Sequence, residues 1–128
     1  MAEEDFAGVY SAKKAQVDQL LTQGNAEGAL AASLQNPPFA CKDDDLKKET
    51  ARMVVGVLAK IKEPGEIMKA INALDPAAQD ALMKYIYRGW DLAQPSKVNA
   101  ALLTWHAQMV SALGKGIVCR AVMNARAV

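Results

Sequence analysis

The 128-residue chain has little of what most catalytic and metal-binding sites are built from. It contains a single histidine, His106, so no His–His pair or zinc-type spacing is present. Its two cysteines, Cys41 and Cys119, stand 78 positions apart, which fits no metal motif, and neither has a histidine close in sequence to activate it. Charge of one sign is also missing. Fifteen basic and 14 acidic residues leave a net +1, and the longest basic runs are the pairs Lys13-Lys14 and Lys47-Lys48. No strong field gathers a nucleic acid or an anionic lipid, so no nucleic-acid partner is expected. No apolar run approaches the roughly 20 residues of a membrane span, so no membrane insertion is expected. The start Met1-Ala2-Glu3-Glu4-Asp5 is acidic, the opposite of a signal peptide's basic opening, and the expectation is a cytoplasmic protein with free thiols.

Aromatics are scarce as well, at 5%, whereas hydrophobic residues as a whole make up 52%. The apolar content is mostly Ala, Leu, Val, Ile and Met. A bias toward Ala, Leu and Met favours helices, because small and straight side chains lose little freedom there. No segment reads as a strand, and the apolar positions recur at helical spacing. Val17, Leu20 and Leu21 mark a helix from about Ala12 to Gln23. Gly24 then supplies a left-handed stop and Asn25 an N-cap for the next helix, which ends at Asn36-Pro37-Pro38. Asp43-Asp44-Asp45 opens the longest helix, to about Lys62. Pro64 opens another, with Ile67, Ala70, Ile71 and Leu74 as its stripe. Asp75-Pro76 repeats the start signal for a helix that stops near Gly89. Ser96 is a candidate cap for the helix carrying Val98, Leu102, Trp105 and Met109, and Gly114-Lys115-Gly116 separates it from a last helix over about Ile117 to Ala125.

The expected fold is therefore all-α: six to seven short helices in antiparallel hairpins, with repeat-like spacing of starts near residues 12, 44 and 76. Residues 1–10 read as an acidic arm and 11–128 as one helical domain. Phe6, Val9 and Tyr10 give the arm its apolar side chains and make it a candidate docking segment. The helix from about Pro76 to Arg88 reads as the central one. With Leu82, Met83, Tyr85, Ile86, Tyr87 and Trp90 its apolar arc is about 200° wide, well beyond a one-sided stripe. Its polar remainder is Asp80, Lys84 and Arg88, expected to be exposed, with Asp80 and Lys84 as an i, i+4 pair. Tyr87 and Trp90, at the edge of the arc, are the other partner-interface candidates.

The remaining chemical motifs have ordinary readings. His106 lies at the edge of a core stripe, which is its commoner use than as a general base. Three consecutive aspartates lack the alternation, the Gly and the terminal Glu of a calcium loop and suit a helix start. Gly114-Lys115-Gly116 lacks the preceding strand, the upstream Gly and the following Ser or Thr of a phosphate loop. No catalytic, cofactor or metal residue is assigned.

Several segments resemble, in the right order, the family of the smallest subunit (subunit 5) of the actin-related protein 2/3 complex. They are Gln23-Gly24-Asn25, Ala29-Leu30 leading to Asn36-Pro37-Pro38, Leu74-Asp75, and the run Asp80-Ala81-Leu82-Met83-Lys84-Tyr85-Ile86-Tyr87-Arg88-Gly89-Trp90. Leu102-Leu103-Thr104-Trp105-His106 and Gly116-Ile117-Val118-Cys119-Arg120 with Ala125-Arg126 follow. The resemblance spans about residues 17 to 128, and Leu82–Gly89 is its specific part. It implies a non-catalytic scaffold subunit supporting nucleation of branched actin filaments in the cytoskeleton. The implied partners are the WD-repeat propeller subunit and an actin-related subunit, and no cofactor is implied. The chain departs from the family pattern in its shorter arm and at Cys119 and Met123. A free-standing helical-repeat adaptor that binds peptides is the alternative, and obligate assembly distinguishes the two. A small enzyme would have only His106 and ordinary carboxylates to work with.

Overall fold

A computed structural model describes residues 6–35, 43–92, 94–123 and 128. The described residues form seven helices and no strand. They are α1 (Phe6–Thr22), α2 (Ala26–Ser33), α3 (Asp44–Lys60), α4 (Pro64–Ala73), α5 (Pro76–Asp91), α6 (Ser96–Leu113) and α7 (Gly116–Met123). The fold is all-α, as the periodicity requires.

Local chemistry sets most boundaries. Gly24, at φ +76°, closes α1 by placing two amides on the last carbonyls: Gly24 N–H donates to Leu21 O and Asn25 N–H to Leu20 O. Asn25 Oδ1 then accepts from Gly28 N–H at 2.9 Å and starts α2. Asp43 Oδ1 accepts from Asp45 and Leu46 N–H at the head of α3. Asp75 Oδ1 accepts from Ala78 N–H at 2.8 Å at the head of α5.

Four boundaries differ from the sequence expectation, and α6, with 18 residues, is longer than the 17-residue α3, expected to be the longest. First, α1 begins at Phe6, so the second half of the ten-residue arm is helix. The inward stripe Lys13, Val17, Leu20, Leu21 extends backwards at helical spacing to half-buried Val9 and Tyr10. Second, α5 does not stop near Gly89 but continues to Asp91. Gly89 is a contact point instead: a Cβ there would stand 2.8 Å from Leu102 Cδ1 and 2.9 Å from Val55 Cγ2. Third, Ser96 is not the cap of α6 but its first residue. Pro95 occupies the N-cap position, and its carbonyl accepts from the Val98 and Asn99 amides. Fourth, α2 ends at Ser33, with Leu34 at its C-cap, ahead of the expected stop at Asn36-Pro37-Pro38. The expected end of α7 near Ala125 lies outside the described residues, as does Cys41.

One hydrophobic core draws on every helix, from Val17 of α1 to Ile117 of α7. Its packing goes beyond consecutive hairpins. α1 packs on α2 and α3, α4 packs on α6, and α5 touches α3, α6 and α7. Ala81 to Ile86 of α5 are six consecutive buried residues, more than a full helical turn, so the middle of α5 is covered on all sides by its own chain. It is the central helix. Trp105 of α6 ties this core together: its fully buried indole N–H donates to Leu58 O at 3.0 Å, satisfying a carbonyl in the last turn of α3.

Candidate functional site

The chemistry-bearing side chains of the bundle gather on and around α5. Tyr87 and Trp90, one turn apart, pack edge to face with centroids 5.3 Å apart. His106 of α6 completes the cluster. Tyr87 Oη lies 2.9 Å from His106 Nε2 in a hydrogen bond, and the imidazole sits 5.7 Å from the Trp90 ring. All three are half-buried, and Tyr87 and Trp90 pack against the core while keeping an outer edge toward solvent. The only histidine thus faces two aromatic rings and is hydrogen-bonded to the hydroxyl of one of them.

The polar face of α5 differs from expectation. Lys84 is buried, only 9% exposed, so it is not a solvated residue. Asp80 does not pair with it. Instead Asp80 Oδ1 accepts from Arg120 Nε of α7 at 2.9 Å. At the other end, Arg88 donates to Asp44 Oδ1 at 2.9 Å and so holds the first turn of α3. The face that a lone amphipathic helix would show to water is covered here by α3 and α7. Asp44 accepts from Lys48 as well. That hydrogen bond above all, with the charges of Lys48 and Arg88, holds its carboxyl below the ordinary 3.8, against some desolvation.

Two buried polar groups in the core have no counterpart in the sequence reading. The Tyr85 hydroxyl has no hydrogen-bond partner among the described residues, and burial pushes its pKa upward. Lys13 is buried on the inner stripe of α1, where desolvation lowers its pKa below 10.5. A signal for Lys13 was available, since it sits at the i+4 position from Val9 and the i−4 position from Val17.

Of the five interface candidates, the structure brings Tyr87 and Trp90 together. Val9 and Tyr10 lie in the first turns of α1, and Phe6 opens that helix. Among the described residues, the side chains of α1 in or against the core are Val17, Leu20 and Leu21, and Val9 and Tyr10 extend the same stripe beyond them. No group of three or more His, Cys, Asp or Glu side chains that could hold a metal occurs among the described residues. No helix among them is long and apolar enough to cross a membrane. Cys119 is a free, exposed thiol on α7.

Fold and site together define a helical packing domain, in which the aromatic, ionic and capping groups are engaged in holding helices to one another. Comparison with known proteins names the particular kind. The model of the family "ARP2/3 complex 16 kDa subunit (p16-Arc)" matches residues 2–128. The chain is 37% identical over 124 residues to actin-related protein 2/3 complex subunit 5-C of Xenopus laevis, covering 97% of this chain and 81% of that one. It is 34% identical over 109 residues to the probable subunit 5 of Caenorhabditis elegans, covering 85% of this chain and 74% of that one. It is 37% identical over 111 residues to the human subunit 5-like protein, covering 87% of this chain and 71% of that one. The chain belongs to the p16-Arc family.

Proposed function

We propose that this protein is a non-catalytic scaffold subunit of an actin-related protein 2/3 complex, associated with the cytoskeleton, that supports nucleation of branched actin filaments. The observation that carries this reading is the family match over residues 2–128, which takes in all seven helices. Its partners are the WD-repeat propeller subunit and an actin-related subunit of the complex, as the family resemblance implies. The self-covered α5 supports a rigid spacer, because its core is complete without a partner. Val9 and Tyr10 on the outer end of α1, with Phe6 ahead of them, and the outer edges of Tyr87 and Trp90 are the proposed contact residues.

The test is co-expression of the tagged chain with the other subunits, followed by size exclusion and a branching assay with labelled actin. The chain is expected to co-elute with the complex, and a complex lacking it is expected to branch more weakly. A chain that elutes only as a free monomer would overturn the reading and favour a free-standing adaptor.

A further inference from the structure

A groove of about 600 Å³ runs between α3 and α6. Its floor is Gly56, Val98 and Ala101, and Lys60, Lys62 and Lys97 stand around it. None of the three lysines forms an ion pair among the described residues. Lys97 sits in the first turn of α6, the positive end of that helix, where a cation is unfavourable. That turn has no acidic residue and no side-chain cap to offset it. Three positive charges without ion-pair partners among the described residues therefore line an otherwise uncharged trough.

Gly56 is the second observation. It lies in the interior of the 17-residue α3, where glycine weakens a helix relative to alanine. Nothing inside the chain requires it: its φ is not positive, and a Cβ built there meets no atom within 4 Å. Gly89 is the contrast, since a Cβ at that position would collide with two core side chains. The space over Gly56 opens into the groove, so its missing side chain leaves room for a body from outside. Farther along α6, Ala100 and Ala107 are exposed and Leu103 is 61% exposed beside Thr104, so the outer face of this helix is uncharged and partly apolar.

We propose that the α3–α6 groove seats an acidic amphipathic helix of a neighbouring subunit. The backbone of that helix approaches closely over Gly56, its small apolar face lies on Val98 and Ala101, and its carboxylates meet Lys60, Lys62 and Lys97. Charge complementarity and a glycine floor select this occupant: a basic or bulky segment fits neither. The proposal rests on the subunit reading above and specifies the surface through which it works.

The experiment measures binding of the purified chain to the complex assembled without it, at about 50 mM and about 300 mM salt, a range over which screening of exposed charges changes strongly. Gly56→Leu is the main variant. It adds a better helix former at an exposed position where a Cβ meets no atom within 4 Å, so the melting temperature should rise, while binding should weaken at least tenfold because the groove is filled. The triple variant Lys60→Glu/Lys62→Glu/Lys97→Glu should weaken binding at least tenfold at low salt and less at high salt. Lys14→Glu/Lys69→Glu/Lys115→Glu, equal in charge change but away from the groove, should bind within a few fold of wild type. Wild-type-like binding by Gly56→Leu, or equal losses in the two triple variants, overturns the groove while leaving the subunit reading standing. Absence of binding by the wild-type chain overturns both.

Discussion

Gly89→Ala places two opposed effects in one methyl group. In an exposed helix interior the exchange would stabilise by about 1 kcal/mol, because alanine loses less backbone entropy on folding. At Gly89 the methyl would arrive 2.8 Å from Leu102 Cδ1 and 2.9 Å from Val55 Cγ2, well inside van der Waals contact. Neither neighbour can swing into solvent, since Leu102 is 0% and Val55 1% exposed, and the valine has one strongly preferred rotamer in a helix. Overpacking of this kind costs about 1–3 kcal/mol. With two contacts violated at once the upper part of that range applies, and the net expectation is a loss of about 1–2 kcal/mol. For a domain of this size that is a fall in Tm of roughly 3–10 °C, read by circular dichroism at 222 nm. Gly56→Ala is the matched control: no atom lies within 4 Å, so the helix gain stands alone and Tm should rise by roughly 2–5 °C. Adding Val55→Ala to Gly89→Ala should cost less than Val55→Ala does alone, because the new methyl occupies part of the vacated space. A Gly89→Ala variant that melts at or above wild type would refute the close-approach account of Gly89.

Other substitutions test the bundle elsewhere. Tyr85→Phe removes a buried hydroxyl that has no partner among the described residues, so urea denaturation should show stability unchanged or raised by up to about 1 kcal/mol, and a loss above that would reveal a partner. Lys84→Ala should cost about 1–3 kcal/mol, far more than an exposed lysine, because its buried stem packs among core residues, and a near-zero effect would return it to the surface. Asp44→Asn should lower stability at pH 7 and approach wild type in acid. The folded carboxyl titrates below its ordinary 3.8, so its contribution is present above that value and lost as pH falls through the depressed one. Urea midpoints between about pH 6 and about pH 2 read the difference, and a constant gap between the two proteins would exclude an ionic role for Asp44.

Local features were legible in the sequence, and long-range ones were not. The stops and caps at Gly24, Asn25, Asp43 and Asp75 follow from bonds between near neighbours, so composition and spacing suffice to place them. The errors on α5 share one cause. Gly89 reads as a helix end until Val55 and Leu102 are known to touch it. Asp80 and Lys84 read as an exposed pair until Arg120, 40 positions away, takes the aspartate. Arg88 reads as solvated until Asp44, 44 positions away, accepts from it. In each case a partner far along the chain outweighs a local preference worth only tenths of a kcal/mol to about 1. Tyr87 and Trp90 stood out because an apolar arc wider than a surface stripe is visible in one helix alone, and the structure packs them against each other. Their link to His106 did not stand out, since it crosses from α5 to α6.

The segment that makes the family recognisable, Leu82 to Gly89, turns out to be mostly interior. Leu82, Met83, Tyr85 and Ile86 are fully buried, Lys84 is nearly so, and Gly89 is held between α3 and α6. Such a run is constrained by three neighbouring helices at once, so few side chains satisfy it, and its resemblance to relatives reports the shape of the core. Among the described residues, a core that closes on itself leaves only the outer edges of Tyr87, Arg88 and Trp90 toward solvent there. Contacts with a larger assembly must therefore be sought where the bundle is unfinished: at the outer end of α1, where the stripe runs on past the core to Val9 and Tyr10, and along α6, where Ala100, Leu103 and Ala107 meet water. Substitutions in the Leu82–Gly89 run should thus report stability, and those on α1 and α6 should report assembly. Finding the reverse would mean that the bundle rearranges on joining its partners.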